Sequence, residues 1–163
     1  LGVKTFFNML GPMVNPAAPM NQMVGVFNLE LARLYGYLYQ NTDKNFLIVH
    51  SLDGYDEISL TGDFKYIFNE GEAIGTPSLL GLSYLDAVDL SGGSDIKSSA
   101  QLFKEILDCK GTDSQNNVVI ANAGMAIATI NGSPFEAAVE EARTSLISGK
   151  AKSTFSKFLE INA

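Results

Sequence analysis

Residues 22–50 constrain the fold of this chain more than any other stretch. Gln22-Met23-Val24-Gly25-Val26-Phe27 reads as a strand, and Asn28 follows it as a helix cap whose side-chain oxygen can accept from the first turn. Glu30 complements the helix dipole at that end, and Leu31, Leu34, Tyr35 and Leu38 recur at helical spacing. After Asn41-Thr42-Asp43 comes a second strand, Asn45–His50, whose unbroken apolar run Phe46–Val49 suits burial on both faces. Strand, helix and strand within about thirty residues form a βαβ unit, which predicts parallel strands with a right-handed crossover. The expected class is α/β, with a largely parallel sheet covered by helices.

That unit determines where the most polar stretch falls. Ser51-Leu52-Asp53-Gly54-Tyr55-Asp56-Glu57 leaves the second strand at its carboxyl end, the side on which open α/β sheets bind ligands. Gly54 permits a tight turn among the carboxylates. Adjacent carboxylates at Asp56 and Glu57 suit a hard cation such as Mg²⁺, which takes one or two protein carboxylates and completes its shell with water and substrate phosphate. A solvated acidic turn has the same composition, and the residues alone leave both readings open. His50, the single histidine, closes the strand and reads as structural rather than as an acid–base group.

The remaining pattern is coarser. Residues 11–19 hold Gly11-Pro12, Asn15-Pro16 and Pro19, which break regular structure. Residues 57–60 and 63–69 read as two short strands joined at Thr61-Gly62, and residues 70–93 as loop with short pieces of structure. Ser94 is placed to cap a helix with the stripe Ile96, Ala100, Phe103, Ile106 and Leu107, ending at Gly111. Val118–Ile130 reads as a buried helix interrupted by Asn122 and Thr129. Ser133-Pro134-Phe135-Glu136 has the form of a capped helix start, with proline at the first helical position. A last helix carries Ala151, Phe155, Phe158 and Leu159.

Composition narrows the function. With 163 residues and 46% hydrophobic content, the chain is expected to be a single domain with a real core. No apolar run approaches the roughly 18 residues of a membrane span. The net charge of −7 and the presence of only two arginines, Arg33 and Arg143, argue against nucleic acid as a partner. A lone cysteine, Cys109, excludes an internal disulfide framework, reads as a structural thiol and fits a reducing, cytoplasmic setting. There is no GxxxxGK[ST], GxGxxG, GxSxG or HExxH motif, and one His with one Cys leaves little for a nucleophile–base pair. A carboxylate pair without those motifs describes a metal-assisted, phosphate-handling half-site. Because the first residue is Leu, the chain is expected to be part of a longer protein.

Two longer motifs sharpen this. Lys4-Thr5-Phe6-Phe7-Asn8-Met9-Leu10-Gly11-Pro12-Met13-Val14-Asn15-Pro16 resembles the R-T-x-F-N-x-L-G-P-L-x-N-P segment of the anthranilate phosphoribosyltransferase family. Val49-His50-Ser51-Leu52-Asp53-Gly54-Tyr55-Asp56-Glu57-Ile58-Ser59 resembles its V-H-G-x-D-G-L-D-E-I-S. Ala121-Asn122-Ala123 and Ser148-Gly149-Lys150-Ala151 match weaker signatures nearer the C-terminus, so the resemblance covers essentially the whole chain. It departs at Lys4, where the family has Arg, and at Ser51, where it has Gly.

The resemblance implies the C-terminal part of a nucleoside phosphorylase/phosphoribosyltransferase-type α/β domain within a two-domain enzyme. That enzyme transfers the phosphoribosyl group of phosphoribosyl pyrophosphate to anthranilate in tryptophan biosynthesis, as a homodimer and with Mg²⁺. Asp56 and Glu57 would hold the metal, and Gly11 and Pro12 would border the anthranilate pocket. The family's G-T-G-G-D phosphate loop would precede Leu1, so this chain alone is expected to be inactive. The competing expectations are a pyrimidine nucleoside phosphorylase, which shares the fold, and a non-catalytic relative that binds nucleic acid.

Overall fold

In the computed structural model residues 11–162 are described, so the opening motif from Lys4 to Leu10 lies outside them. The βαβ unit is present as β1 (Asn21–Gly25), α1 (Leu29–Tyr39) and β2 (Asn45–Ser51). β1 and β2 pair parallel, with Val24 opposite Ile48. Asn28 caps α1 as expected, its Oδ1 accepting from the Leu31 N–H at 2.8 Å.

The side-chain alternation of β2 explains its unbroken apolar run. Phe46 and Ile48 pack with Leu31, Ala32, Tyr35 and Tyr39 of α1. Leu47 and Val49 point to the opposite layer, against Ile120, Met125, Val139 and Leu146. Burial on both faces leaves no room for a polar alternate. On α1 the buried stripe is Leu31, Ala32, Tyr35, Gly36 and Tyr39, whereas Leu34 and Leu38 lie on its exposed side.

The class is α/β, but the sheet is mixed rather than largely parallel. Its order is β1-β2-β3-β4, with β3 (Phe64–Phe68) antiparallel to β2 and β4 (Gly71–Gly75) antiparallel to β3. Parallel neighbours need a long crossover, usually helical, and residues 52–63 contain no helix to carry one.

The strand expected over 57–60 does not form. Leu60 takes a left-handed φ of 61°, and the backbone groups on either side of it bond to side chains and to Leu85 rather than to a neighbouring strand. Thr61-Gly62 therefore closes no hairpin. The hairpin closes at Asn69-Glu70 instead, and its second strand, β4, falls within the stretch expected to be loop. Glycines end β4 on both sides and Ile74 faces solvent, so it carries little periodic signal.

Helices cover the other face of the sheet. α2 (Ile96–Leu107) is capped by Asp95 and Ser98 reciprocally, not by Ser94. The carboxylate of Asp95 reaches the Ser98 N–H at 2.8 Å, which places the cap one residue later. α3 (Asp113–Asn131) starts earlier than Val118, because Thr112 and Gln115 form a second reciprocal cap. α4 (Phe135–Ile147) starts one residue later than expected. Pro134 keeps an extended ψ of 141° at the cap position, and the buried Ser133 hydroxyl has no hydrogen-bond partner among the described residues. α3 and α4 meet where a Cβ on Gly124 would stand 2.6 Å from Val139 Cγ2. α5 (Lys150–Ile161) closes the chain, its Phe155 meeting Phe103 of α2 edge-on at 5.0 Å. Among the described residues no single helix is long and apolar enough to cross a membrane.

Candidate active site

The acidic turn lies at the carboxyl ends of β1 and β2, where the crossover required it. Its start is a tight loop: Gly54 takes a φ of +106° and donates to the Ser51 carbonyl at 2.9 Å, while the Ser51 N–H donates to Tyr55 at 3.0 Å. His50 is buried, and its Nδ1 donates to the Val26 carbonyl at 2.8 Å. This places a proton on Nδ1 and ties the exit of β1 to β2, a structural role.

The structure sorts the three carboxylates. Asp53 accepts from the hydroxyls of Thr61 and Ser59, which ties the first half of the loop to its return. Asp56 and Glu57 are exposed and enter no hydrogen bond or salt bridge among the described residues. Their backbone, by contrast, is held on several sides. Gly25 lies so close under Asp56 that a Cβ there would be 1.6 Å from the Asp56 carbonyl oxygen. Ser51 Oγ donates to the Glu57 carbonyl at 2.6 Å and accepts from the Ser59 N–H at 3.2 Å. On α3, Asn122 Oδ1 accepts from the Ile58 N–H at 2.9 Å, and Asn122 Nδ2 donates to the Ile58 carbonyl at 2.9 Å.

The result is an immobilised backbone presenting two unengaged carboxylates to solvent. No group of three or more His, Cys, Asp or Glu is arranged to hold a metal among the described residues. A pair is a half-shell, and two hard oxygen donors with open positions suit Mg²⁺ coordinated jointly with water and a phosphate-bearing ligand.

Gly11 and Pro12 lie in a single 3₁₀ turn, Gly11–Met13. The Pro12 carbonyl accepts from Gln22 Nε2 at 2.6 Å and from the Tyr39 hydroxyl at 3.5 Å. Gln22 sits toward the start of β1 and Gly25 at its end, roughly 10 Å apart at 3.3 Å per residue. The two candidate stretches are thus anchored toward opposite ends of β1, and no hydrogen bond joins them among the described residues. A groove of about 380 Å³ lies elsewhere, between α1 and the β3–β4 hairpin, lined by Arg33, Gly36, Ile67 and Glu72. It includes neither candidate stretch.

Sequence reasoning passed over Gly25 and Asn122 as parts of this site and met Ser51 only as a departure from a family pattern. A signal for Asn122 exists: an amide inside an apolar helix must find partners when buried. Its partner, a backbone peptide, carries no signal of its own.

Comparison with known proteins places these observations. A family model described as "Glycosyl transferase family, a/b domain" matches residues 1–152. The chain is 58% identical over 162 residues to the anthranilate phosphoribosyltransferase of Flavobacterium psychrophilum, covering 99% of this chain and 49% of that protein. It is 60% identical over 163 residues to the enzyme of the same name from Christiangramia forsetii, with the same coverage. The chain therefore spans about half the length of the curated relatives it matches.

Among solved structures, anthranilate phosphoribosyltransferase from Thermus thermophilus superposes with a TM-score of 0.87 at 27% identity, covering 98% of this chain and 48% of that one. The Saccharomyces cerevisiae protein in complex with PRPP and Mg superposes at 0.84 and 23% identity, covering 98% and 46%. At that identity the likeness shows the fold.

Proposed function

The chain belongs to the glycosyl transferase family, whose a/b-domain model matches residues 1–152, and from that premise we propose that it is part of an anthranilate phosphoribosyltransferase. The complete enzyme would transfer the phosphoribosyl group of phosphoribosyl pyrophosphate to the amine of anthranilate. The C1–O bond to pyrophosphate breaks, a C1–N bond forms, and the amine gives up a proton. The observation that carries this reading is the pair of exposed, unengaged carboxylates on a backbone held at the strand ends, in a chain 58–60% identical to proteins of that name.

In this reading Asp56 and Glu57 would hold the Mg²⁺ that accompanies pyrophosphate. The metal, when bound, offsets negative charge that develops on the leaving group. The chain's own contribution is positional. Gly25 and Ser51 hold the backbone that carries both carboxylates, so the turn needs little reorganisation to receive the metal. Asp53 stays engaged with Thr61 and serves the loop rather than the metal. Gly11 and Pro12 would border the anthranilate site. The complete enzyme would work as a homodimer.

The test uses the full-length protein, assayed with Mg²⁺, anthranilate and phosphoribosyl pyrophosphate, and in parallel with thymidine and phosphate. Turnover is expected with the first pair alone. Asp56→Asn and Glu57→Gln should each weaken calorimetric binding of Mg²⁺-pyrophosphate at least tenfold while shifting the melting temperature little, since both side chains are exposed. Turnover of thymidine would assign the chain to nucleoside phosphorolysis. Silence with both pairs would favour a non-catalytic relative.

A further inference from the structure

We infer that Asn122 is a positioning residue for the metal-facing carboxylates: its amide grips the Ile58 peptide from both sides and thereby sets the aim of Asp56 and Glu57. The inference rests on the reading of those two residues as metal ligands. The geometry has three parts. First, Asn122 accepts from Ile58 N–H and donates to Ile58 C=O, both at 2.9 Å, while its second amide hydrogen goes to the Val118 carbonyl at 2.9 Å. The bond to Val118 locks the side chain against its own helix. Every polar hydrogen on the amide is used, and the loop is joined to α3 across 64 residues of sequence.

Second, Ile58 is itself fully buried, so the peptide that follows Glu57 cannot find water if the clamp is lost. Third, the opposite side of the turn is equally constrained. Ser51 Oγ holds the Glu57 carbonyl at 2.6 Å, and Gly25 abuts the Asp56 carbonyl. Between these points only the Asp56 and Glu57 side chains are unengaged. Asn122 is half-buried on α3, and both bonds it makes outside its own helix go to Ile58, so it acts at that residue's backbone. Partners of this kind, one step removed from a metal, typically change affinity by about 10–100-fold when lost.

The experiment measures Mg²⁺ with inorganic pyrophosphate, and anthranilate separately, by calorimetry on the full-length protein and its Asn122→Ala and Asn122→Asp variants. Amide hydrogen exchange at Ile58 and thermal melts accompany both. Asn122→Asp keeps shape and the acceptor for Ile58 N–H but turns an oxygen toward two carbonyls, so it removes half the clamp if the alanine variant folds poorly.

The expected result is at least a tenfold loss of Mg²⁺-pyrophosphate affinity, faster exchange at Ile58, and anthranilate affinity unchanged within about twofold. Raising Mg²⁺ should partly restore pyrophosphate binding. Unchanged pyrophosphate affinity in a folded variant with accelerated Ile58 exchange overturns the inference. Parallel losses for both ligands with a lowered melting temperature also overturn it, since they mark a general packing role. Asp56→Asn separates the two layers of argument. If it too leaves Mg²⁺-pyrophosphate binding unchanged, the ligand assignment itself is wrong, whatever Asn122 does.

Discussion

At Gly25 a hydrogen stands where any other residue would put a Cβ 1.6 Å from the Asp56 carbonyl oxygen. The constraint is the close approach of two backbones and not the dihedral angles, because Gly25 is in extended conformation within β1. No side-chain rotation relieves a clash with backbone, so Gly25→Ala must push the acidic turn outward or bend the end of β1. Overpacking of this kind costs about 1–3 kcal/mol. In the full-length protein, a lowered melting temperature together with weakened Mg²⁺-pyrophosphate binding is expected. A melt and a titration both indistinguishable from the parent would show that the turn stands farther from β1. The same scale explains Ser51. The family pattern has glycine there, whereas this chain uses the hydroxyl to hold both Glu57 and Ser59.

Among elements, α2 and α5 show how a surface contact joins two helices that bury little. Neither has a fully buried residue. They meet through Phe103 and Phe155, and through the Lys152 ammonium, which reaches Asp108 at 2.6 Å just past the end of α2. That hydrogen bond, helped by Lys110 at 3.5 Å, holds the Asp108 carboxyl below the usual carboxylate range. A carboxyl whose folded pKa is depressed contributes stability above its unfolded value, about 4. That contribution disappears as pH falls through the folded value. Asp108→Asn should therefore lower the melting temperature slightly at pH 7, with the difference shrinking as pH falls below about 4 and vanishing once the folded carboxyl is protonated. The pair is exposed, so the effect is small and should also fade in high salt. Equal pH slopes in the two proteins would remove any role for the contact in docking α5.

For the molecule as a whole, the described sheet leaves β1 at one edge, with its outer backbone groups unpaired by another strand among the described residues. Elsewhere on the surface, α1, which packs over β2 and β3, exposes Leu34, Tyr37 and Leu38. An open sheet edge and exposed apolar side chains each favour self-association. The 163-residue chain on its own is therefore expected to fold, since its described residues bury two hydrophobic core clusters, and to sediment as a dimer or larger species. It should show no turnover with Mg²⁺, anthranilate and phosphoribosyl pyrophosphate, because two carboxylates without a phosphate cradle hold pyrophosphate weakly. Turnover of roughly 1 per second or more would contradict the half-site reading, and a clean monomer would show the edge to be protected.

What the sequence determined by itself was local. The period of β2, the cap at Asn28 and the turn at Gly54 are each written within a few residues. Together they specified the βαβ unit and put Asp56 and Glu57 at a carboxyl end. The four C-terminal helices were legible, α2, α4 and α5 from their apolar stripes and α3 from its nearly unbroken apolar run, with α2 and α4 starting one residue later and α3 several residues earlier than expected. Tertiary structure decided the rest. Whether β3 runs against β2 depends on which segments meet, and periodicity carries no direction. Which of three neighbouring carboxylates is engaged depends on Thr61 and Ser59 folding back onto Asp53. The grip of Asn122 on Ile58 joins a side chain to a backbone peptide, and every residue has the same peptide. No pattern in the chain can announce such a contact; only packing α3 against the loop creates it.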